Sequence, residues 1–291
     1  MSNFIGSKSI TGTILKENNF HVKKKFGQNF LVDQNILTNI TSVSGVNKKI
    51  NVIEIGPGLG GLTEHLAEAA NKVLCYEIDS DLLPILNNNL SRFDNVSIIN
   101  DDVLKRNVNS DILEFLGTDL PVYLVANLPY YITTPIIIGL LEKTNLIKKY
   151  TMMMQLEVAN RICSKPAVKD YNALSVVIQY KTIAKKVLDV PRTVFMPEPN
   201  VDSAVINLEL FSEIPFKAVH EDFFYKFVRQ CFVQRRKTLA NNISLLGIKK
   251  DAIYPIIESL GLNKSVRSEV LNIEQFVKLS DKIYLLLDSS L

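Results

Sequence analysis

A strand that runs straight into glycines and then into a helix is the feature that most limits what this chain can become. Ile50, Val52, Ile53 and Ile55 make a nearly unbroken apolar run, and Gly56, Gly58, Gly60 and Gly61 follow with only Pro57 and Leu59 between them. Leu62, Leu66 and Ala70 then recur at four-residue spacing, as one face of a helix does. A strand that turns through glycines into a helix brings bare backbone N–H groups close to whatever lies above it. The turn is therefore a candidate floor for a nucleotide-like cofactor. Gly56, Gly58 and Gly61 satisfy G-x-G-x-x-G. Taken alone, that pattern also fits a nicotinamide-dependent oxidoreductase or a tight turn with no ligand.

The next segments repeat the strand–helix alternation of an open α/β sheet. Val73 to Asp79 reads as a second strand ending in acids, and Glu77 lies about twenty residues past the first glycine, where such a fold sets a carboxylate against ribose hydroxyls. After a helix marked by Leu82, Leu83, Leu86 and Leu90, a third strand over Val96 to Asn100 runs into Asp101 and Asp102. An acid at that strand end can accept from the exocyclic amine of an adenine. A fourth strand, Val122 to Ala126, delivers Asn127-Leu128-Pro129-Tyr130 just past its carboxyl end, the side on which open α/β sheets bind ligands. This group suits a planar amine substrate. The Asn127 oxygen and a backbone carbonyl can accept two amine hydrogens while Tyr130 stacks on the ring. Neither the oxidoreductase nor a non-catalytic RNA-binding factor gives this tetrapeptide a task.

Further strands are expected over Tyr150 to Leu156, 182–190 and 203–211, with Met152, Met153 and Met154 as core residues. Prolines in the Val194 to Ser203 segment forbid regular structure and present Phe195 on a loop. Ahead of the sheet, residues 34–46 read as a helix stopped by Gly45, and residues 1–20 read as polar and irregular. From about residue 216 the pattern turns helical: Phe223, Phe224, Phe227, Val228 and Cys231, then Ile273, Phe276, Val277 and Ile283. The expected domains are 1–215, with 1–22 mobile, and a helical 216–291.

Charge points to a partner. The net charge is only +3, yet residues 1–50 carry seven lysines against two acids, and residues 229–250 carry six basic residues and no acid. Two basic segments on an otherwise acidic chain form an electrostatic footprint for a polyanion. Lys23, Lys24 and Lys25, interleaved with Phe26 and Phe30, suit phosphate and ring contacts together. Arg235, Arg236 and Lys237 are expected to begin a helix that touches phosphate. Cys75, Cys163 and Cys231 are far apart and odd in number, which argues for a reducing cytoplasm without disulfides or zinc. No apolar run approaches the roughly 18 residues of a membrane span.

Lys25 to Leu31, Glu54 to Gly60, Glu77-Ile78-Asp79, Asn127 to Tyr130, Phe195 to Ser203, and Arg235 to Leu239 occur in one order. Together they resemble the small-subunit ribosomal RNA adenine dimethyltransferases, from about residue 22 to residue 280. The resemblance implies an α/β fold, a Rossmann-like class I methyltransferase sheet with a small all-α carboxyl-terminal domain. It implies S-adenosyl-L-methionine as methyl donor and two adjacent adenosines near the 3′ end of 16S rRNA as substrate, within an assembling 30S particle, with a monomeric enzyme and no metal. Carried over by position, the cofactor would meet Asn29, Leu31, Gly56, Gly58, Glu77, Asp102 and Asn127. Asn127, Leu128, Pro129 and Tyr130 would hold the target amine, and Tyr130 and Phe195 would sandwich its base. The sequence departs from the family pattern at Asp101, Tyr131, Met196 and Glu198.

Overall fold

A computed structural model describes residues 4–23 and 26–288. Lys24 and Lys25, both candidate RNA contacts, lie outside the described residues. By contact the chain divides into two compact units. The first comprises Met1–Ala159 with Lys185–Glu209, the second Asn160–Ala184 with Leu210–Leu291.

The first unit begins with α1 (Lys8–Glu17) and a two-residue strand β1 (Phe30–Leu31), followed by α2 (Gln34–Ser44). The alternation then runs β2 (Asn51–Ile55), α3 (Gly61–Ala69), β3 (Val73–Tyr76), α4 (Leu83–Asn89), β4 (Val96–Ile99), α5 (Val108–Asp111), β5 (Val122–Asn127), α6 (Thr133–Lys143) and β6 (Ile147–Gln155). Later strands are β7 (Thr182–Val190), the short β8 (Phe195–Met196) and β9 (Ser203–Leu210).

The main sheet has the order β4-β3-β2-β5-β6-β9-β7. Strands β4, β3, β2, β5 and β6 are mutually parallel and β9 runs antiparallel to β6. Every residue of β2 and β3 is buried, which is why these strands read as continuous apolar runs rather than alternating ones. Chain order reverses at the central pair. From β2 the sheet grows through β3 to β4 on one side and through β5 to β6 on the other, leaving a crevice above the carboxyl ends of β2 and β5. One layer of core joins Val52, Val73, Cys75, Val125, Met153 and Val205 to Leu37, Ile40, Leu62 and Leu66 of α2 and α3. Met152, Met153 and Met154 are fully buried, as core residues should be.

Local signals account for the boundaries. Asp33 caps α2 by accepting from the Ile36 N–H at 3.1 Å, and Gly45 ends the helix at φ 74°. The segment read as irregular instead holds α1, whose amino end is capped by Ser7. Ile14 and Leu15 pack, with Ile5 and Phe20, against Phe30, Leu59, Leu82 and Leu86. This apolar face is narrow and is diluted by Gly12 and two threonines, so burial rather than periodicity makes the helix.

In the second unit the helices are α8 (Ala173–Gln179), α9 (Glu221–Cys231), α10 (Leu239–Ser244), α11 (Lys250–Glu258) and α12 (Ile273–Asp288), and α7 (Leu156–Cys163) runs from one unit into the other. Phe224, Phe227, Val228 and Cys231 are buried along α9, as are Phe276, Leu279 and Ile283 along α12. Tyr180 meets Phe224 with ring centroids 4.4 Å apart. Arg235, Arg236 and Lys237 do not begin a helix. They occupy an exposed turn after α9, and α10 starts at Leu239 because the Thr238 side chain caps it. Among the described residues, no helix is long and apolar enough to cross a membrane.

Candidate active site

The crevice at the strand-order reversal is a cavity lined chiefly by the glycine turn, the ends of β3 to β5, and the segment Phe26 to Leu31 of the first unit. Gly56, Gly58 and Gly60 have φ of 69°, 60° and 93°, a region that residues with a Cβ seldom enter. At Gly58 space is also decisive, because a Cβ would lie 3.1 Å from Cε1 of Phe30. The turn therefore keeps its backbone bare beneath the cavity.

Acids surround that floor. Glu77, directly after β3, is buried; it accepts from the Gly58 N–H at 3.2 Å and the Asp79 N–H at 2.8 Å. Burial raises its carboxyl pKa, and those two N–H bonds partly offset the rise. A carboxylate has about four lone-pair sites, so both oxygens retain capacity for a ligand. Glu54, inside β2, also lines the cavity and is 1% exposed; burial pushes its carboxyl up to about 8.

Asp101 and Asp102 both reach the cavity, but they are held differently. Asp101 accepts from the Asp102 N–H at 2.7 Å and lies 3.8 Å from the Arg106 guanidinium. Asp102 accepts from the Leu104 N–H at 3.0 Å through one oxygen. Its other oxygen has no partner among the described residues.

Asn127 ends β5 beside Met153 of β6. Its side-chain NH2 donates to the Asn29 carbonyl at 3.3 Å. The Asn127 amide oxygen and the Leu128 carbonyl are both without partners among the described residues, whereas the Pro129 carbonyl accepts from the Ile132 N–H and the Thr133 hydroxyl. Tyr130 lines the cavity and shares a 2.7 Å hydrogen bond with Ser203.

The segment over the cavity is tied down through Asp79. Gln28 donates to one Asp79 oxygen at 2.7 Å and the Lys23 ammonium to the other at 2.5 Å, while Lys23 also reaches Asp81 at 2.5 Å. Burial alone would raise the Asp79 carboxyl; Lys23 and Gln28 overcome it and hold the pKa below the ordinary value. Lys23, singled out as a phosphate contact, is thus engaged within the protein.

Phe195 is not presented on a loop. It belongs to β8, which pairs antiparallel with β1 and sets Phe195 opposite Leu31. It is 4% exposed and packs in the core with Leu31 and Val205. Ile5, Gly6 and Thr11 line the cavity as well, although nothing in their sequence context marks them. In the second unit Arg235 donates to the Lys169 carbonyl, and Arg236 and Lys237 are exposed.

The arrangement offers a bare glycine floor, several carboxylates, and two unpaired oxygens at the end of β5. It is a chamber of acceptors suited to a cation bearing hydroxyl and amine hydrogens.

Comparison with known proteins agrees with this geometry. The family model for ribosomal RNA adenine dimethylase matches residues 19–284. Curated relatives called ribosomal RNA small subunit methyltransferase A include one from Listeria innocua, 47% identical over 97% of this chain and 97% of its own length. Another, from Streptococcus thermophilus, is 45% identical over 96% of this chain and 98% of its own length. Among solved structures, a dimethyladenosine transferase from Plasmodium falciparum superposes with a TM-score of 0.71 at 25% identity, covering 86% of this chain and 95% of that one. The 23S rRNA methyltransferase ErmE superposes with a TM-score of 0.66 at 26% identity, covering 88% and 99%. The sheet is accordingly that of a class I methyltransferase. With the glycine turn, the acids at the ends of β3 and β4 and the Asn127 group all at one crevice, and with a family match across nearly the whole chain, the protein belongs to the ribosomal RNA adenine dimethylase family.

Proposed function

We propose that this rRNA adenine methyltransferase dimethylates the exocyclic N6 amines of two adjacent adenosines near the 3′ end of 16S rRNA, on RNA carried in an assembling 30S particle. It acts as a cytoplasmic monomer with S-adenosyl-L-methionine as donor. The observation that carries this reading is the pair of unpaired oxygens at Asn127 and Leu128. Because Asn29 takes the Asn127 NH2, the amide oxygen is fixed as an acceptor. It can share the two hydrogens of an adenine amine with the Leu128 carbonyl.

That contact matters chemically because the amine lone pair is delocalised into the ring. Two acceptors favour a pyramidal nitrogen, which frees the lone pair for in-line attack on a donor methyl as its bond to sulfur breaks, and they stabilise the positive charge that develops until the nitrogen sheds one proton to solvent. When bound, the cofactor supplies an electrophilic methyl group on a sulfonium. The residues present fit it by their acceptor chemistry. Glu77 would take the ribose hydroxyls, the unpaired Asp102 oxygen the adenine amine, and the floor at Gly56 and Gly58 the close approach of the nucleoside, with Asn29 and Leu31 covering it. Catalysis is then positioning and electrostatics, with no covalent enzyme intermediate. Tyr130 is placed to stack on a base drawn out of its helix. Phe195 fits the opposite face only if it leaves its packing. Arg236 and Lys237 supply sequence-independent phosphate contact.

Primer extension tests the assignment. Small subunits from a strain lacking the enzyme are treated with the purified protein and S-adenosylmethionine. Extension should halt at the 3′ member of an adenosine pair in the small-subunit RNA, and that RNA on hydrolysis should yield two dimethyladenosines per particle. No stop there, one dimethyladenosine per particle, or methylation of large subunits treated in parallel but not of small ones, would refute it.

A further inference from the structure

Tyr131 is 57% exposed, yet it lines the cavity at the end of the Asn127 to Tyr130 group. Along one edge it rests on Gly27, where a Cβ would sit 3.3 Å from its Cδ1. Its neighbour Tyr130 is pinned by Ser203; no hydrogen bond holds the Tyr131 hydroxyl among the described residues. An exposed ring at the mouth of an acceptor-lined chamber is spent on neither the core nor a polar network.

The substrate proposed above creates a need at this position. Drawing one adenosine into the chamber strips a stacking partner from the base beside it. That base stays outside, at the mouth, with one face bare. The enzyme must also accept each of two neighbouring adenosines in turn, so whatever covers the outer base has to tolerate two strand positions. An aromatic face does so, because stacking requires no particular hydrogen-bond pattern.

We propose that Tyr131 is a positioning residue that stacks on the nucleobase next to the one inserted, holding the strand in place for each of the two adenosines. It touches neither the reacting nitrogen nor the methyl group, so its contribution falls on substrate binding rather than on the chemical step. The inference rests on the reading of two adjacent adenosines as substrate.

The test uses the full-length enzyme and small ribosomal subunits that lack the modification. Tyr131→Phe keeps the ring and should hold KM and kcat within about twofold of wild type. Tyr131→Asn should raise KM for the particle by between about fivefold and a hundredfold, the range for losing one stacked base, with kcat little changed. The Kd of S-adenosylhomocysteine, measured by calorimetry, should be the same in both variants and the wild type. A wild-type KM for Tyr131→Asn would overturn the proposal. So would an equal loss in Tyr131→Phe, a loss confined to kcat, or a matching weakening of S-adenosylhomocysteine binding. If the wild-type enzyme modifies neither adenosine, the substrate reading itself falls. If it modifies both and Tyr131→Asn is indistinguishable, only the role of Tyr131 falls.

Discussion

The side-chain amide of Asn127 donates to the backbone carbonyl of Asn29 at 3.3 Å, across 98 residues of chain. This contact decides which end of the amide faces the substrate, since the NH2 is occupied and the oxygen is not. Asn127→Ala should lower the single-turnover methylation rate by about a hundred- to a thousandfold, as for loss of one preorganised group. Asn127→Asp should do nearly as badly, because a carboxylate has no hydrogen to give Asn29. RNA binding, followed by filter retention, should stay within a few fold. A normal rate in either variant would remove the acceptor mechanism.

Asp101 and Asp102 are adjacent, but only Asp102 keeps an oxygen without a partner. Asp102→Ala should therefore weaken S-adenosylhomocysteine binding by about tenfold or more, the scale of one hydrogen bond to a charged group. Asp101→Ala should change the Kd far less, because the Asp101 oxygens face the Asp102 N–H and Arg106, and Arg106 stays bonded to Asp111. Calorimetric titration of the two variants ranks them. The reverse order would reassign the adenine contact.

Gly58 combines a left-handed backbone with a neighbour that cannot retreat freely. In Gly58→Ala the new Cβ would meet Cε1 and Cδ1 of Phe30 at 3.1 and 3.2 Å, and the φ of 60° adds about 1–2 kcal/mol of strain. Urea unfolding should show a loss of that size. Binding of S-adenosylhomocysteine should fall further than stability does, because the Gly58 N–H that positions Glu77 moves with the turn.

What could be read in advance follows from the range of the forces involved. Ile50 to Ile55, the glycines and Val122 to Asn127 were legible because a buried parallel strand and a left-handed turn each impose a strong local composition. The burial of Phe195 was not legible. Pro197 and Pro199 signal a loop, and only pairing with Phe30 and Leu31, far away in sequence, makes β8. Lys23 read as a solvent-facing cation because its partner Asp79 is 56 residues on. The turn at Arg235 to Lys237 did carry a usable signal, since Thr238 before Leu239 is a capping residue that moves the helix start past the basic run.

Arg236 and Lys237 are exposed, whereas Arg235 is hydrogen-bonded to the Lys169 carbonyl. Counterion release then predicts unequal contributions. Arg236→Ala and Lys237→Ala should each lessen the slope of log affinity against log salt by about 0.7 to 0.9, and Arg235→Ala should change it less. Measuring binding to unmodified small subunits over a salt series separates them. A flat salt response in the wild type would count against phosphate contact altogether.

Glu54 gives the first unit a pH dependence of known sign. Burial lifts its carboxyl from 4.5 to about 8 in the folded protein, so between those values the folded state keeps a proton that the unfolded chain has released. The stability this provides is complete below about 4.5, declines as pH rises, and is lost above about 8. At about 1.36 kcal/mol per pKa unit, the decline amounts to a few kcal/mol at most. Glu54→Gln keeps the shape and removes the titration. Relative to wild type, its Tm should rise between about pH 5 and pH 8.5. Glu77, also raised by burial, is present in both proteins, and its like charge is one of the smaller causes of the Glu54 shift, so the difference reports mainly Glu54. A Tm difference that stays constant across that range would show that Glu54 is ionised in the fold and that its surroundings, Cys75 included, accommodate the charge.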